Sequence, residues 1–443
     1  MTNNNNIKEI ELKYLFLISG VFFFISTLFV SESVLADKLI IFSLLIIGIA
    51  SRKLTILLSF PILAFYSIWI YDKSSAFKYV IPFFLIYIVF FSKITLKFNR
   101  SDRILILLVF WITISFIYNL INSSQVEVLN SLLLCYVNFI IIVVFFFVFK
   151  YQNIDKSNLY RLFILFMFVL SFIPFFKKET AIQEDLIKRV SGLADVNTFC
   201  KFSSIALFLN LNNNLFKSMF KSLITLVLVI ATLLTFSKMG VILLFIIFLP
   251  YYKMLLNIRF FIPFIILLFI SSFFLNKIVS KDMEIGQFIV NRILPETPSA
   301  KENSLMNSLS SNRTDIWERA LIQWAQLPST IAFGQGIGTI GVRNEIIFGD
   351  STVMHNSIFD LFLETGVIGV CLYLLYLFFL LYKKNTILIL TVFIPLLFLS
   401  EPFRFDMFLI FVIVDSYVSN DKSLDSVLKS KVRTTKKYTS ELT

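Results

Sequence analysis

The chain has 443 residues, of which 58% are hydrophobic, 17% aromatic and only 15% charged. Soluble domains are roughly half apolar and a quarter charged, so this composition excludes a soluble globular protein, and its richness in apolar residues excludes a disordered one. The net charge is +12, but the lysines and arginines lie between apolar runs, which is typical of membrane topology control rather than of nucleic-acid binding. The composition predicts an integral membrane protein.

Apolar runs predict about 12 to 14 transmembrane helices, a range because some runs are shorter than the ~20 residues that span a bilayer and neighbours can be paired differently. The runs do not alternate between polar and apolar residues as barrel strands do. The predicted fold class is therefore an all-α polytopic membrane protein with a large, partly helical periplasmic loop. The runs are 14–30, 38–50, 54–71, 77–92, 104–121, 129–149, 159–176, 198–211, 222–236, 239–252, 259–279, 356–382, 386–400 and 404–418.

Basic residues are concentrated in the short loops on one side of the predicted bundle, as at Arg52 and Lys53, whereas short loops on the other side, such as Asp72–Ala76, are acidic or neutral. The positive-inside rule then predicts that both termini are cytoplasmic. The resulting organisation is 1–176, N-terminal transmembrane helices; 177–279, central transmembrane helices with a smaller periplasmic loop at 177–197; 280–355, the large periplasmic loop; 356–418, C-terminal transmembrane helices; and 419–443, a basic cytoplasmic tail.

The large loop contains a predicted amphipathic helix. Asn312 is the expected N-cap, apolar residues from Ile316 to Leu327 follow at helical spacing, and Pro328 ends the run. Arg313 lies in the first turn, where it suits either a phosphate or a solvated surface position. Its tryptophans, Trp317 and Trp324, suit packing in the core or at the membrane interface.

A glycine-rich run, Gly334-Gln335-Gly336-Ile337-Gly338, follows that helix. No parallel βαβ unit surrounds it, which argues against a dinucleotide loop. Its glycines instead indicate a tight backbone turn or a close approach to a ligand.

His355 is the only histidine, and it stands before the long apolar helix that contains Gly366 and Gly369. The helix dipole disfavours its protonated form, so a neutral imidazole here is a competent proton acceptor near pH 7. The alternative is a helix-capping role. A single histidine without a second histidine or a cysteine nearby argues against a zinc site.

Four basic residues are predicted to face the same outer side as His355. They are Arg189 in the smaller loop, Lys238 in a turn between two apolar runs, Arg313, and Arg404 at a helix end. Cations clustered at the outward-facing surface of the membrane suit a lipid pyrophosphate. Taken singly, each is equally compatible with snorkelling and topology anchoring.

These residues resemble those of the O-antigen polymerase and O-antigen ligase superfamily of envelope glycosyltransferases. The resemblance covers roughly residues 185–385 and rests on four stretches in order. They are the Arg189…Gly192…Asp195-Val196-Asn197 segment, the Ser237-Lys238-Met239-Gly240 turn, the Arg313-xxx-Trp317 helix, and the glycine-rich loop leading to His355-Asn356 with Gly366-Val367-Ile368-Gly369 following.

The resemblance implies a metal-independent, inverting transfer at the periplasmic face of the bacterial inner membrane, without a cofactor. The donor is an oligosaccharide on undecaprenyl pyrophosphate. His355 matches the general base, Arg313 matches a pyrophosphate-binding arginine, and Lys238 stands where an arginine is usual, so that it keeps the charge but loses the bidentate fork. Arg189 is a further contact to the anionic pyrophosphate.

The polymerase and the ligase differ in their acceptor, which is another lipid-linked repeat unit or lipid A-core. Two outer polar loops, the first rich in lysine and arginine, favour the polymerase; the spacing of His355 to the glycine pair suits both. A flippase or transporter predicts charged residues in mid-helix, and the apolar runs carry almost none. The expected partners are the lipid-linked oligosaccharide, membrane lipids and a chain-length regulator protein, and no nucleic acid.

Overall fold

The computed structural model describes residues 98–151, 156–171, 182–184, 187–189, 196–235, 237–251, 317, 328–348, 356–382, 384–398 and 405–417. Within these ranges the chain is α-helical apart from a short hairpin and one 3₁₀ turn, so the predicted all-α membrane class is confirmed. The segments Arg100–Asn122, Val126–Val144 and Ser357–Leu381 are long and apolar enough to cross a membrane. The predicted total of about 12 to 14 helices includes runs outside the described residues.

The structure describes eleven helices. In chain order they are α1 (Arg100–Asn122), α2 (Val126–Tyr151), α3 (Lys156–Leu170), α4 (Val196–Asn212), α5 (Ser218–Leu234), α6 (Lys238–Phe248), α7 (Pro328–Phe333), α8 (Ile340–Phe348), α9 (Ser357–Leu381), α10 (Thr386–Phe398) and α11 (Phe405–Ser416). Strands β1 (Ile182–Glu184) and β2 (Ile187–Arg189) pair antiparallel in the segment predicted as the smaller loop.

Helix α1 begins with a capping box. The Asn99 side chain accepts a hydrogen bond from the Asp102 backbone N–H at 2.9 Å, and the Asp102 carboxylate accepts one from the Asn99 N–H at 2.9 Å. Two backbone donors at the helix start are thereby satisfied. The cap fixes the Asp102 carboxylate at one end of the bundle.

A buried ion-pair cluster joins several helices at that end. The Lys150 ammonium lies 2.6 Å from the Asp102 carboxylate and 3.1 Å from that of Asp415, while the Lys384 ammonium donates to the Asp415 carbonyl at 3.1 Å. These residues come from the start of α1, the ends of α2 and α11, and the connection after α9. The start of α1 and the end of α2 meet here, so these two helices run antiparallel. Helices α9 and α11 both end on the side where α1 begins.

Helix α9 is central to the packing, because it contacts α1, α7, α10 and α11. Its residues Tyr373 and Tyr376 are fully buried, and the Tyr376 ring meets Phe411 of α11 edge-on, with ring centroids 5.5 Å apart. Buried aromatic pairs of this kind add about 0.5–1.5 kcal/mol beyond the burial of their area. The C-terminal half of α9 is therefore firmly packed and supports the residues near the start of the helix.

Candidate functional site

Helix α9 is interrupted at Gly366, whose backbone has φ 71° and ψ −176°. The carbonyls of Leu363 and Glu364 instead accept hydrogen bonds from the backbone N–H groups of Gln335 and Gly336, at 2.7 and 3.0 Å. An unpaired carbonyl costs several kcal/mol in a hydrocarbon environment, so a broken membrane helix requires partners of this kind. The segment that precedes α8 supplies them.

A third carbonyl at the break, that of Thr365, accepts a hydrogen bond from the Trp111 indole N–H of α1 at 2.9 Å. The same indole stacks on Phe333, the last residue of α7, with ring centroids 5.3 Å apart. The Ser115 hydroxyl donates to the Phe333 carbonyl at 2.5 Å. Helix α1 therefore fastens both the break in α9 and the end of α7.

The glycine loop, residues 334–338, fits against this break only because of its glycines. Gly334, Gly336 and Gly338 have φ values of 71°, 98° and 72°, which residues with a side chain rarely adopt. A Cβ on Gly334 would overlap the Glu364 backbone, and one on Gly336 would lie 2.7 Å from the Leu132 side chain. The predicted tight turn is present, and the close approach is to helix backbone and side chains of this protein.

The glycine loop lies between α2 and α9. The Ser131 hydroxyl of α2 donates to the Gly338 carbonyl at 2.7 Å, and a Cβ on Gly338 would overlap the Cys135 side chain. Cys135 follows the first residue of α2, Val126, by nine positions, which corresponds to about 13 Å along a helix. The loop enters the bundle from the end where α2 and α9 begin, opposite the ion-pair cluster.

Glu364 couples the loop to α9 through its side chain. Its carboxylate accepts a hydrogen bond from the Gly338 N–H at 2.8 Å, and the residue is only 9% exposed. Asn356, the N-cap of α9, and Asp360 precede it at four-residue spacing and are also buried. Residues four apart lie on one helix face, so a polar stripe extends from the α9 N-cap to the glycine loop.

Arg343 of α8 also contacts the glycine loop. Its Nη2 donates to the Gln335 carbonyl at 3.1 Å, and its Nε donates to the Thr339 hydroxyl at 3.4 Å. The residue is half-buried and has no ion-pair partner among the described residues. Burial lowers the pKa of its guanidinium because it disfavours the charged form.

Lys238 is the first residue of α6, and its side chain is exposed. The preceding residue, Ser237, is the N-cap: its hydroxyl accepts from the Gly240 N–H at 3.3 Å and donates to the Asn197 side chain of α4 at 2.7 Å. Two of the four stretches that carry the family resemblance, 195–197 and 237–240, are thus joined directly. The start of α4 fixes the turn that presents Lys238.

The other two stretches are joined by an aromatic contact. Trp317, which is helical, stacks on Phe359 in the first turn of α9, with ring centroids 5.0 Å apart and an interplanar angle of 22°. Ile340 and Leu363 complete this apolar cluster. The contact supports the packing role for Trp317, and it ties the segment that follows Arg313 to the helix that His355 precedes.

The predicted site residues differ in how far the structure describes them. His355, Arg313 and Arg404 lie outside the described residues, and so does Trp324. Arg189 ends β2 opposite Ile182, and its side chain is not described. The assembly of these cations around His355 therefore stays a prediction.

Sequence reasoning missed Glu364 and Arg343. A carboxylate inside an apolar helix of 25 residues is a signal in itself, because ionisable groups in membrane helices are costly and are usually functional. Arg343 has no comparable signal, since its significance comes from carbonyl and hydroxyl groups placed by the turn of the glycine loop.

The apolar helices define a polytopic helical membrane protein, and in its described part the glycine loop and the polar stripe lie together. Residues 223–374 match the model of the family described as O-antigen ligase, which confirms the resemblance to the O-antigen polymerase and ligase superfamily. The match includes Lys238, Arg313, the glycine loop, Arg343 and His355. The curated proteins contain no significant match to the chain. The family match supports a membrane protein of surface-polysaccharide biosynthesis.

Proposed function

We propose that this protein is a surface-polysaccharide polymerase that transfers a glycan from undecaprenyl pyrophosphate to the non-reducing end of another lipid-linked repeat unit. The reaction takes place at the periplasmic face of the bacterial inner membrane, and both termini are cytoplasmic. The family match to residues 223–374 supports the reaction class.

The observation that carries the proposal is the Trp317–Phe359 stack. Arg313 precedes Trp317 by four residues, and His355 precedes Phe359 by four. The contact between the two rings supports the proposal that Arg313 and His355, the proposed pyrophosphate ligand and base, act at the same end of the bundle. The Ser237–Asn197 hydrogen bond presents Lys238 at the start of α6.

The chemistry requires a base and cations, and no metal. The acceptor hydroxyl oxygen attacks the anomeric carbon of the donor as the bond from that carbon to the pyrophosphate oxygen breaks, and the configuration inverts. His355 takes the proton of the hydroxyl. Arg313, Lys238, Arg189 and Arg404 neutralise the charge that develops on the departing lipid pyrophosphate.

The bilayer orientation follows from the charge asymmetry of the loops. The ion-pair cluster around Lys150 and Lys384 lies at the end predicted to be cytoplasmic, and the glycine loop enters from the opposite end. A lipid-linked donor presents its pyrophosphate at a membrane surface, where the start of α9 and the turn before α6 are available to it.

The description of the matching family as O-antigen ligase favours a second candidate, transfer of the glycan to lipid A-core. The two reactions share the donor, the leaving group and the proposed base. They differ only in the acceptor, so the acceptor distinguishes them.

The test uses the purified full-length protein in lipid nanodiscs with a defined lipid-linked repeat unit, with and without lipid A-core. We expect a ladder of lipid-linked products without lipid A-core; products formed only when it is present would assign the ligase. His355→Ala should abolish the ladder while the protein still inserts. Activity should persist in EDTA, and a metal requirement, or a normal ladder from His355→Ala, would contradict the mechanism.

Arg313 is tested in the same assay. Arg313→Lys retains the charge without the bidentate fork, so it should retain more activity than Arg313→Ala. Equal losses in the two variants would assign the requirement to geometry, and full activity in both would remove Arg313 from the site.

A further inference from the structure

Arg343 carries a positive charge that the described residues do not balance. Its guanidinium contacts one carbonyl and one hydroxyl, both uncharged, and no carboxylate lies within 4.0 Å of it in the described part of the chain. Burying a charge is costly unless it is paired, so an anion beside a half-buried guanidinium would stabilise it. Glu345, on the same helix, is exposed.

Two buried carboxyl groups of α9 have other environments. The Glu364 carboxylate accepts the Gly338 N–H, and Asp360 lies one helical turn earlier on α9, next to the N-cap Asn356. Neither forms an ion pair with Arg343. The glycine loop therefore holds the guanidinium, and no carboxylate in the described part of the chain neutralises its charge.

The two hydrogen bonds also fix the guanidinium in place. A guanidinium has five N–H groups, and the Gln335 carbonyl and the Thr339 hydroxyl engage two of its nitrogens. The remaining N–H groups keep the planar fork that matches phosphate and carboxylate oxygens. Such preorganisation lowers the entropic cost of binding an anion.

We propose that Arg343 is a binding residue for an oxyanion of the lipid-linked glycan, either a phosphate of the pyrophosphate or the carboxylate of an acidic sugar. The proposal rests on the proposed function for the identity of that substrate and adds a cation that the sequence motifs do not contain. It places the glycine loop at the substrate: the loop seals the break in α9 with its backbone N–H groups and holds Arg343 with its Gln335 carbonyl.

The test measures anion binding separately from turnover. Wild-type protein, Arg343→Gln, Arg343→Lys and the control Arg161→Gln, which removes an exposed arginine of α3, are titrated in detergent with inorganic pyrophosphate and with glucuronate by calorimetry. Loss of charge-assisted hydrogen bonds should weaken binding about tenfold to a hundredfold in Arg343→Gln, with a smaller loss in Arg343→Lys. Arg161→Gln should bind as the wild type does.

The probe that depends on Arg343 identifies the oxyanion, as phosphate or as sugar carboxylate. Equal binding of both probes by the wild type and Arg343→Gln, or no binding of either by the wild type, would overturn the inference. Thermal unfolding without ligand controls for folding, and Arg343→Lys keeps the comparison valid if Arg343→Gln unfolds. Absence of glycan transfer by the wild type would refute the proposed function, but it would leave the result on anion binding intact.

Discussion

The indole of Trp317 lies nearly parallel to the ring of Phe359, with centroids 5.0 Å apart. Trp317 belongs to the segment predicted as the large outer loop, and Phe359 to the first turn of α9. Ile340 and Leu363 pack around the pair. Trp317 is thus packed against the helix start that the proposed base precedes.

Removing this stack should loosen the outer segment without unfolding the bundle. An aromatic pair contributes about 0.5–1.5 kcal/mol beyond area burial. Its loss should lower the equilibrium constant for docking of this segment by up to roughly tenfold. We expect Trp317→Ala to be cleaved faster in the segment 280–355 by limited proteolysis and to form product more slowly, whereas Trp317→Phe keeps the stack and resembles the wild type. Wild-type cleavage and rate in Trp317→Ala would show that the contact does not seat the segment.

The sequence predicts the helices well because their signal is local. The apolar run 104–121 corresponds to α1 at Arg100–Asn122, and the run 386–400 to α10 at Thr386–Phe398. Composition and run length are sufficient for this, since a membrane helix needs only a continuous apolar segment with polar ends. The caps extend α1 beyond its apolar run, as Asn99 and Asp102 show.

The interior of the site is not predictable in this way because its contacts join distant parts of the chain. Gly366 looks like a small residue for helix packing, and nothing in its neighbourhood indicates that the helix breaks there. The break is stable because Trp111 and the glycine loop satisfy its carbonyls, and those partners are identified only in the folded structure. The glycines indicate a turn, but not where it docks.

Gly366 should be intolerant of substitution. Its backbone conformation is essentially restricted to glycine, and a Cβ there would overlap the Ala332 carbonyl of α7. We expect Gly366→Ala to lower the free energy of unfolding by about 1–3 kcal/mol or more from the backbone strain alone. The control is Val367→Ala at the adjacent, 37% exposed position, which should change little. Equal thermal unfolding curves for the two variants would contradict the helix break.

Lys150 should be required for stability at the opposite end of the bundle. Its ammonium lies 2.6 Å from the Asp102 carboxylate, which is fully buried. Removal of one partner from a buried ion pair typically costs about 3–5 kcal/mol because the other charge is left unpaired. Lys150→Met should therefore lower the unfolding temperature strongly, and Lys150→Met with Asp102→Asn should recover part of the loss. The exposed-arginine variant Arg161→Met is the control, and a similarly small shift in Lys150→Met would refute the argument.

Substitutions of Glu364 can separate the hydrogen-bonding role of its carboxylate from any role of its charge. In the wild type the Gly338 N–H donates to the Glu364 carboxylate at 2.8 Å, and Glu364→Gln keeps a carbonyl oxygen that can accept this hydrogen bond. Glu364→Ala leaves the N–H without its acceptor, at a cost of about 1–3 kcal/mol. We expect thermal unfolding in detergent to rank Glu364→Gln close to the wild type and Glu364→Ala well below it, with the exposed Glu345→Ala unchanged. Equal destabilisation of the Gln and Ala variants would exclude the hydrogen bond as the source of stability. If Glu364→Gln folds normally but loses glycan transfer, an ionisable carboxyl group is needed for catalysis in addition to the hydrogen bond that positions the glycine loop.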